Sequence, residues 1–462
     1  MKKNVYLSQL IECFKNIELW EKRLPSFETD ETLEIPAEKI KSVFTEYFTR
    51  LGNSYPFFHR QYAGQMLKPP HPAASLAYFT AMLINPNNHA LDGGPETSEM
   101  EKEAVQQLAE MFGFKNYLGH LTSSGTIANL EALWVSKSIY PEKLIAFSKE
   151  AHYTHNRMCS VIGAKFIEID TDSQGRIDTI DLEEKLKIYP IGTLVATVGT
   201  TGRGAVDPIH KLLELKEKYN FRIHVDAAYG GYFILLAEDS KRLIEPEPFL
   251  SISQCDSAVI DPHKHGLQPY GCGSIIFKDP SVGKFYKHDS PYTYFTSKEL
   301  HLGEISLECS RAGASAAALW VTLKCFPLKP NEGMGPILAK TRKSALKWAE
   351  LVNKSQYLEI LSQPELDILV FFPKPKSPKS SLISMLSENL FNSAINNKNF
   401  PVYLAKMKLE SKTFSKNFPE IVLDQEYTTL LRSCLMKPEH LNFIPELHKY
   451  IENLAKAIRD KI

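Results

Sequence analysis

The 462-residue chain has no surplus of either charge: Lys plus Arg and Asp plus Glu are 54 each. No net field draws it to a phosphate backbone or an anionic membrane surface, which argues against nucleic-acid binding. Paired cysteines are missing as well. Seven cysteines are scattered singly, with no Cys-x-x-Cys and an odd total, against a disulfide framework or a structural zinc site and in favour of reduced thiols in a cytoplasm. No apolar run approaches the roughly 20 residues of a membrane helix. The opening MKKNVYLSQLIECF is broken by polar residues too early for a signal peptide. Disorder is excluded by composition, with 43% hydrophobic and 23% charged residues. The partners expected are small molecules and further copies of the chain.

What is present is an alternating pattern. SEMEKEAVQQLAEMFGF carries apolar residues at helical spacing from Ser98 and stops at Gly113. Short β-rich runs follow: LIAF (144–147), FIEI (166–169), TLVATV (193–198), RIHV (222–225), SAVI (257–260) and SIIF (274–277). Helical or polar stretches such as PIHKLLELKEKYN separate most of them, which argues for an α/β fold with a largely parallel sheet. We expect an N-terminal helical arm over 1–80, a large domain over 81–326 and a smaller C-terminal α/β domain over 327–462. The tract KPKSPKSS reads as a solvated loop.

Ligands of such sheets collect at the carboxyl ends of the strands. RIHV ends in Asp226, within HVDAAYGG; taken alone, that carboxylate can simply cap a turn. SAVI runs into DPHKHGLQPYGCG, which places Lys264 past a proline, between His263 and His265 and ahead of a glycine-rich turn. Upstream, LTSSGTIANLEALW opens a helix on Ser124, Gly125 and Thr126, which suits either a phosphate site or an ordinary Ser/Thr cap. Together the three elements meet the needs of pyridoxal 5'-phosphate: an anion anchor, a carboxylate to keep the pyridine nitrogen protonated, and an amine to form an imine.

KEAHYTHNRM, TVGTTGRGAVDPI, HVDAAYGGYF and DPHKHGLQPYGCGSIIF, in this order, resemble the group II pyridoxal-phosphate-dependent decarboxylases. Relatives in that family include glutamate, aspartate and tyrosine/aromatic amino-acid decarboxylases and sphingosine-phosphate lyase. The resemblance spans about His71 to Met436. It implies fold type I, with a mostly parallel seven-stranded sheet flanked by helices, and a homodimer. It also implies a carboxy-lyase acting on an L-amino acid to give the amine and carbon dioxide. The alternative is a retro-aldol C–C lyase acting on a phosphorylated amino alcohol.

Carried over by motif position, Lys264 would be the imine lysine and Asp226 the partner of the pyridine nitrogen. His152 would stack on the ring, with Ala228 on the opposite face; without the resemblance His152 reads as a satisfied turn histidine. Thr201 would meet the polar edge, and Gly125, Thr126 and His263 the phosphate. Arg432 matches an arginine that can pair with the substrate α-carboxylate, the alternative being a surface arginine. Tyr292 and Tyr294 are the candidate proton donors. Asp261 stands where many members have Asn, and LECSRAGASAAALW is closer to the archaeal tyrosine or aspartate decarboxylase and phosphosphingoid-lyase branches. The side-chain pocket is undefined at this level, with His59, Arg60 and Gln61 of the arm as candidates for lining it.

Overall fold

The structure, a computed structural model, describes residues 3–238, 242–287 and 302–461. Seven strands among them form the larger sheet: β1 (Leu118–Thr122), β2 (Leu144–Ser148), β3 (Phe166–Ile169), β4 (Ile191–Thr197), β5 (Arg222–Asp226), β6 (Ser257–Ile260) and β7 (Gly273–Phe277). Their order is β1-β7-β6-β5-β4-β2-β3. Every residue of β4 is buried, as expected for a strand covered by helices on both faces. β5 lies between β4 and β6, with Thr197 opposite Asp226 and Asp226 opposite Val259, so three strand ends stand side by side at Asp226.

Two features differ from the sequence pattern. β1, with the sequence LGHLT, carries Gly119 and His120 in place of a β-branched run; its place is secured by pairing with β7. β7 runs antiparallel to both β1 and β6. The stretch 261–272 before it contains only turns, and a parallel return needs a crossover element to carry the chain back.

β1 feeds helix α5 (Gly125–Ile139); the preceding helices are α1 (Lys3–Glu21), α2 (Ala37–Leu51), α3 (Pro72–Ile84) and α4 (Pro95–Met111). α4 ends against Gly113, whose φ of 78° is the left-handed conformation a glycine takes readily. The β1–α5 junction is held from below by Glu101 of α4. Its Oε1 accepts from Arg311 Nη1 at 2.6 Å and from the Leu121 N–H at 2.9 Å, and its Oε2 accepts from Asn88 Nδ2 at 2.6 Å. The alanine-rich helix Gly313–Cys325 packs between α3 and α4, where small side chains let the backbones approach.

The second sheet is antiparallel: β8 (Leu358–Ile360), β9 (Ile368–Pro373), β10 (Ala405–Glu410) and β11 (Tyr427–Cys434), in the order β10-β11-β9-β8. Helix His440–Asp460 turns Phe443, Ile444, Leu447, Ile451 and Ala455 inward at helical spacing, into a core that also holds Trp348 and Phe371. The KPKSPKSS tract ends sooner than a loop reading expects. Ser380 and Ser381 already begin helix Ser380–Ile395, because Asp424 accepts the Ser381 N–H at 2.9 Å and the Ser380 hydroxyl at 2.8 Å. Among the described residues, no helix is long and apolar enough to cross a membrane.

Glu101→Ala would leave the Arg311 guanidinium buried without its carboxylate. We expect a loss of about 3 kcal/mol in urea unfolding. Lys102→Ala, which removes only an exposed pair with Glu99, should stay within about 0.5 kcal/mol of the parent.

Candidate active site

A cavity of about 190 Å³ opens where β4, β5 and β6 end. Gly125, Thr126, His152, Thr201, Asp226, Ala228, His263 and Lys264 all line it, although the chain brings them from five separate stretches.

Asp226 closes β5 and is 5% exposed. Burial alone would raise its carboxyl. The hydrogen bond and charge of His155, followed by the charge of Lys264, more than reverse this and hold it well below the usual carboxylate range. His155 Nε2 lies 2.9 Å from Asp226 Oδ2, and Oδ1 accepts the Ala228 N–H at 3.2 Å. His155 sits in the first turn of α6 (Thr154–Val161) and is fully buried. Sequence reading missed it, although it stands inside the quoted run KEAHYTHNRM.

Lys264 reaches the cavity from the turn after β6, and its Nζ lies 3.0 Å from Asp261 Oδ2. Burial would depress the ammonium, but Asp261 and then Asp226 outweigh it and keep the group above its ordinary value. Asp261, noted in the sequence only for its identity, is thus the ion-pair partner of the lysine. His263 gives its Nδ1 to the Cys272 carbonyl at 2.7 Å, and burial lowers its pKa.

Ser124 caps α5, its hydroxyl accepting the Ile127 N–H at 3.4 Å, as the cap reading expects. The first-turn N–H groups of Gly125 and Thr126 have no acceptor within the helix. A side chain at Gly125 would come within 2.6 Å of Asp261 Oδ2, so only glycine leaves this corner open. The turn is fixed to the sheet by a relay. Asn129 Nδ2 donates to the Gly125 carbonyl at 2.9 Å, and its Oδ1 meets His224 Nε2 of β5 at 2.9 Å. Burial drives His224 down to about 3, which leaves a neutral ring that links α5 to the strand.

His152 faces the cavity and is also a bonded turn histidine, its Nδ1 accepting the Thr154 N–H at 3.3 Å. Thr201 follows Gly199, whose φ of 95° turns the chain at the end of β4. Arg432 lies on β11 and does not line this cavity. At 8% exposure it is no surface arginine, and its Nη2 donates to Gln65 Oε1 at 3.5 Å and Cys434 Sγ at 3.3 Å. Tyr292 and Tyr294 fall outside the described residues. His59 and Arg60 are exposed, with Arg60 paired to Glu446 at 3.2 Å, so neither turns toward the cavity.

Comparison with known proteins agrees with this geometry. The model of the pyridoxal-dependent decarboxylase conserved domain matches residues 28–374. The chain is 27% identical to an L-tyrosine decarboxylase of Enterococcus faecium, over 87% of this chain and 85% of that protein. It is 28% identical to a probable L-aspartate decarboxylase of Pyrococcus furiosus, over 74% of this chain and 88% of the relative. The fold matches the crystal structure of mouse CSAD in apo form with a TM-score of 0.77 at 19% identity, covering 98% and 99% of the two chains. It also matches Oryza sativa TDC with PLP and tryptamine, with a TM-score of 0.76 at 16% identity and 97% of each chain covered. With a family match across three-quarters of its length and the lysine and aspartate of the motifs facing one cavity, the chain belongs to the pyridoxal-dependent decarboxylases, carboxy-lyases whose cofactor is pyridoxal 5'-phosphate.

Proposed function

We propose that the protein decarboxylates an L-amino acid to the corresponding amine and carbon dioxide, with Lys264 and Asp226 as the principal residues. The observation that carries this reading is the convergence of an amine, a charged strand-end carboxylate and an open helix N-terminus on one cavity. Their chemistry fits pyridoxal phosphate. The first turn of α5 and the glycine-kept corner beside it suit the phosphate, with Thr126 and His263 adjoining. Asp226, whose carboxyl His155 and Lys264 hold below the usual carboxylate range, suits a protonated pyridine nitrogen. His152 and Ala228 suit the two faces of a flat ring, and Thr201 its polar edge.

Pyridoxal phosphate, when bound, supplies an electron-withdrawing ring that accepts the electron pair left when the carboxylate departs. The chain's own residues do the rest. Lys264 presents the primary amine from a short turn braced by Asp261, so its nitrogen is positioned before substrate arrives. Asp226 stays ionised because His155 and Lys264 offset the penalty of burial, and an ionised Asp226 keeps a proton on any basic nitrogen facing it. Thr197, Ala228 and Tyr229 are buried and line the cavity, which limits water there. Arg432, on β11 outside the cavity lining, keeps the role that the resemblance implies, pairing with the substrate α-carboxylate. The proton that replaces this carboxylate on the α-carbon is assigned to Tyr292 or Tyr294.

The homodimer rests on the arm. α2 has no buried residue, yet Ile40, Val43, Phe44, Tyr47, Phe48 and Leu51 recur along it at helical spacing. An apolar stripe of that length calls for a cover, and a second arm of the same sequence supplies one.

Three outcomes test these assignments. Lys264→Ala should retain its thermal transition and release no carbon dioxide from any amino acid, and borohydride reduction of the parent should fix the cofactor on Lys264 by mass spectrometry. Turnover in that variant would remove the central assignment. Asp226→Ala should weaken cofactor retention roughly tenfold to a hundredfold in equilibrium dialysis. In the parent, a depressed carboxyl keeps its charge until the pH falls through its folded pKa, so this contribution should stay flat from about pH 8 to 5. Sedimentation equilibrium should return twice 52.3 kDa, and a fully active monomer would contradict the dimer.

A further inference from the structure

Both carboxylate oxygens of Asp261 lie against the first residue of α5: a side chain at Gly125 would meet Oδ2 at 2.6 Å and Oδ1 at 2.7 Å. The carboxylate therefore stands at the corner assigned above to a phosphate, and Asp261 lines the cavity together with Ser124, Gly125 and Thr126. It is held there. Asp261 directly follows β6, its N–H donates to Ala228 O at 3.2 Å, its carbonyl accepts the Lys264 N–H at 2.9 Å, and the residue is 2% exposed. An anion on the N-terminus of α5 thus meets a second anion that cannot turn away to water.

The acceptors at this corner decide the form of anion that suits it. Asp261 Oδ1 has no hydrogen-bond partner among the described residues, and the cation 3.0 Å from Oδ2 is the Lys264 ammonium, the amine that the cofactor claims. His263 adds another acceptor, its Nε2 lying 3.5 Å from Asp261 Oδ2. The Cys272 carbonyl, 2.7 Å from His263 Nδ1, can only accept, so Nδ1 carries a proton; burial outweighs the charge of Asp261 and lowers the ring's pKa, which leaves Nε2 a bare lone pair. The remaining titratable groups in the field of Asp261 are His152 before α6, Tyr232 after β5, and Tyr270 and Cys272 of its own turn. Burial lowers the histidine and raises the other three, so none of these carries a compensating charge near neutral pH.

A phosphate dianion here would oppose a fixed carboxylate, whereas a monoanion brings an O–H donor to a place that holds acceptors. Phosphate monoesters take up that proton at about pH 6, so it is within reach of neutral conditions. We propose that this corner selects the singly protonated phosphate of the cofactor, its P–O–H donating to the Asp261 carboxylate while the N–H groups of Gly125 and Thr126 serve the other oxygens. This rests on the pyridoxal phosphate site described above and adds its protonation state. An Asn in place of Asp261 would bring a donor of its own and suit the dianion; a carboxylate needs the ligand to bring one.

The test is phosphorus-31 NMR of the full-length holoenzyme across a pH titration, with cofactor occupancy read from visible absorbance. The bound resonance of the parent should keep the monoanion position up to about pH 8, whereas the free cofactor passes to the dianion near about pH 6, a proton affinity raised roughly a hundredfold. In Asp261→Asn the cofactor should be retained and its resonance should stand at the dianion position at about pH 7. A dianion signal from the parent at that pH, or the same titration in the parent and in loaded Asp261→Asn, overturns the proposal and leaves the cofactor site standing. Loss of cofactor from Asp261→Asn with an unchanged circular dichroism spectrum also overturns it, because the amide should donate to the dianion. The parent titration alone decides the matter if the variant does not fold. A parent with no bound phosphorus resonance at any pH sinks the cofactor site itself.

Discussion

A carboxylate at the end of a central strand, 5% exposed and still charged, is the constraint around which the site is arranged. Burial by itself would protonate Asp226, and a protonated acid would not hold a proton on a ring nitrogen. His155 and Lys264 reverse that, and each is delivered by a different element. α6 must start where it does to aim His155 Nε2 at Asp226 Oδ2, and the turn after β6 must fold back to bring Lys264 alongside. The parallel register of β4, β5 and β6 brings these pieces together, since it aligns three strand ends at one level. Lys264 in turn is held by Asp261, so two carboxylates and one ammonium share a small volume. The helix N-terminus of α5 faces the same space and favours negative charge there.

The relay through Asn129 and His224 ties that helix end to the strand carrying Asp226. A neutral imidazole suits the task, because it can donate to one neighbour and accept from the other without adding charge beside Asp226. The phosphate-side and nitrogen-side features of the cavity are thereby tied together through Asn129, which lines the cavity, and His224 behind it.

Much of this fold was legible because parallel strands covered on both faces must be apolar runs, and six such runs stand out in the sequence. β1 did not, since LGHLT is not β-rich and owes its conformation to β7. The direction of β7 was equally hidden, being set by the absence of a crossover helix. Lys264 and Asp226 could be singled out because strand ends are where chemistry collects and their flanking glycines and alanines are unusual. His155 could not, because its role depends on which of two nearby histidines α6 turns inward. The arm shows the same limit from the other side. His59 and Arg60 carry the promising chemistry but face outward, while Lys68 in the proline-rich stretch is the buried cation. In a stretch without helical or strand periodicity, no pattern reveals which side chain points inward; only the tertiary ties at Ala63 and His71 decide it.

This division between regular and irregular structure bears on how one scaffold serves different substrates. The reacting groups stand on strand ends and helix starts, whose positions the sheet fixes. The junction around Lys68 instead joins an irregular segment, β11 and the lysine turn, and can change side chains without disturbing the register that positions Asp226. Relatives of similar identity, 27% for an L-tyrosine decarboxylase and 28% for a probable L-aspartate decarboxylase, are what such a separation allows. Tyr229 is the link between the two parts: it lines the cavity, and its hydroxyl donates to buried Asp367 at 2.6 Å, so the junction and the cavity share one fixed side chain.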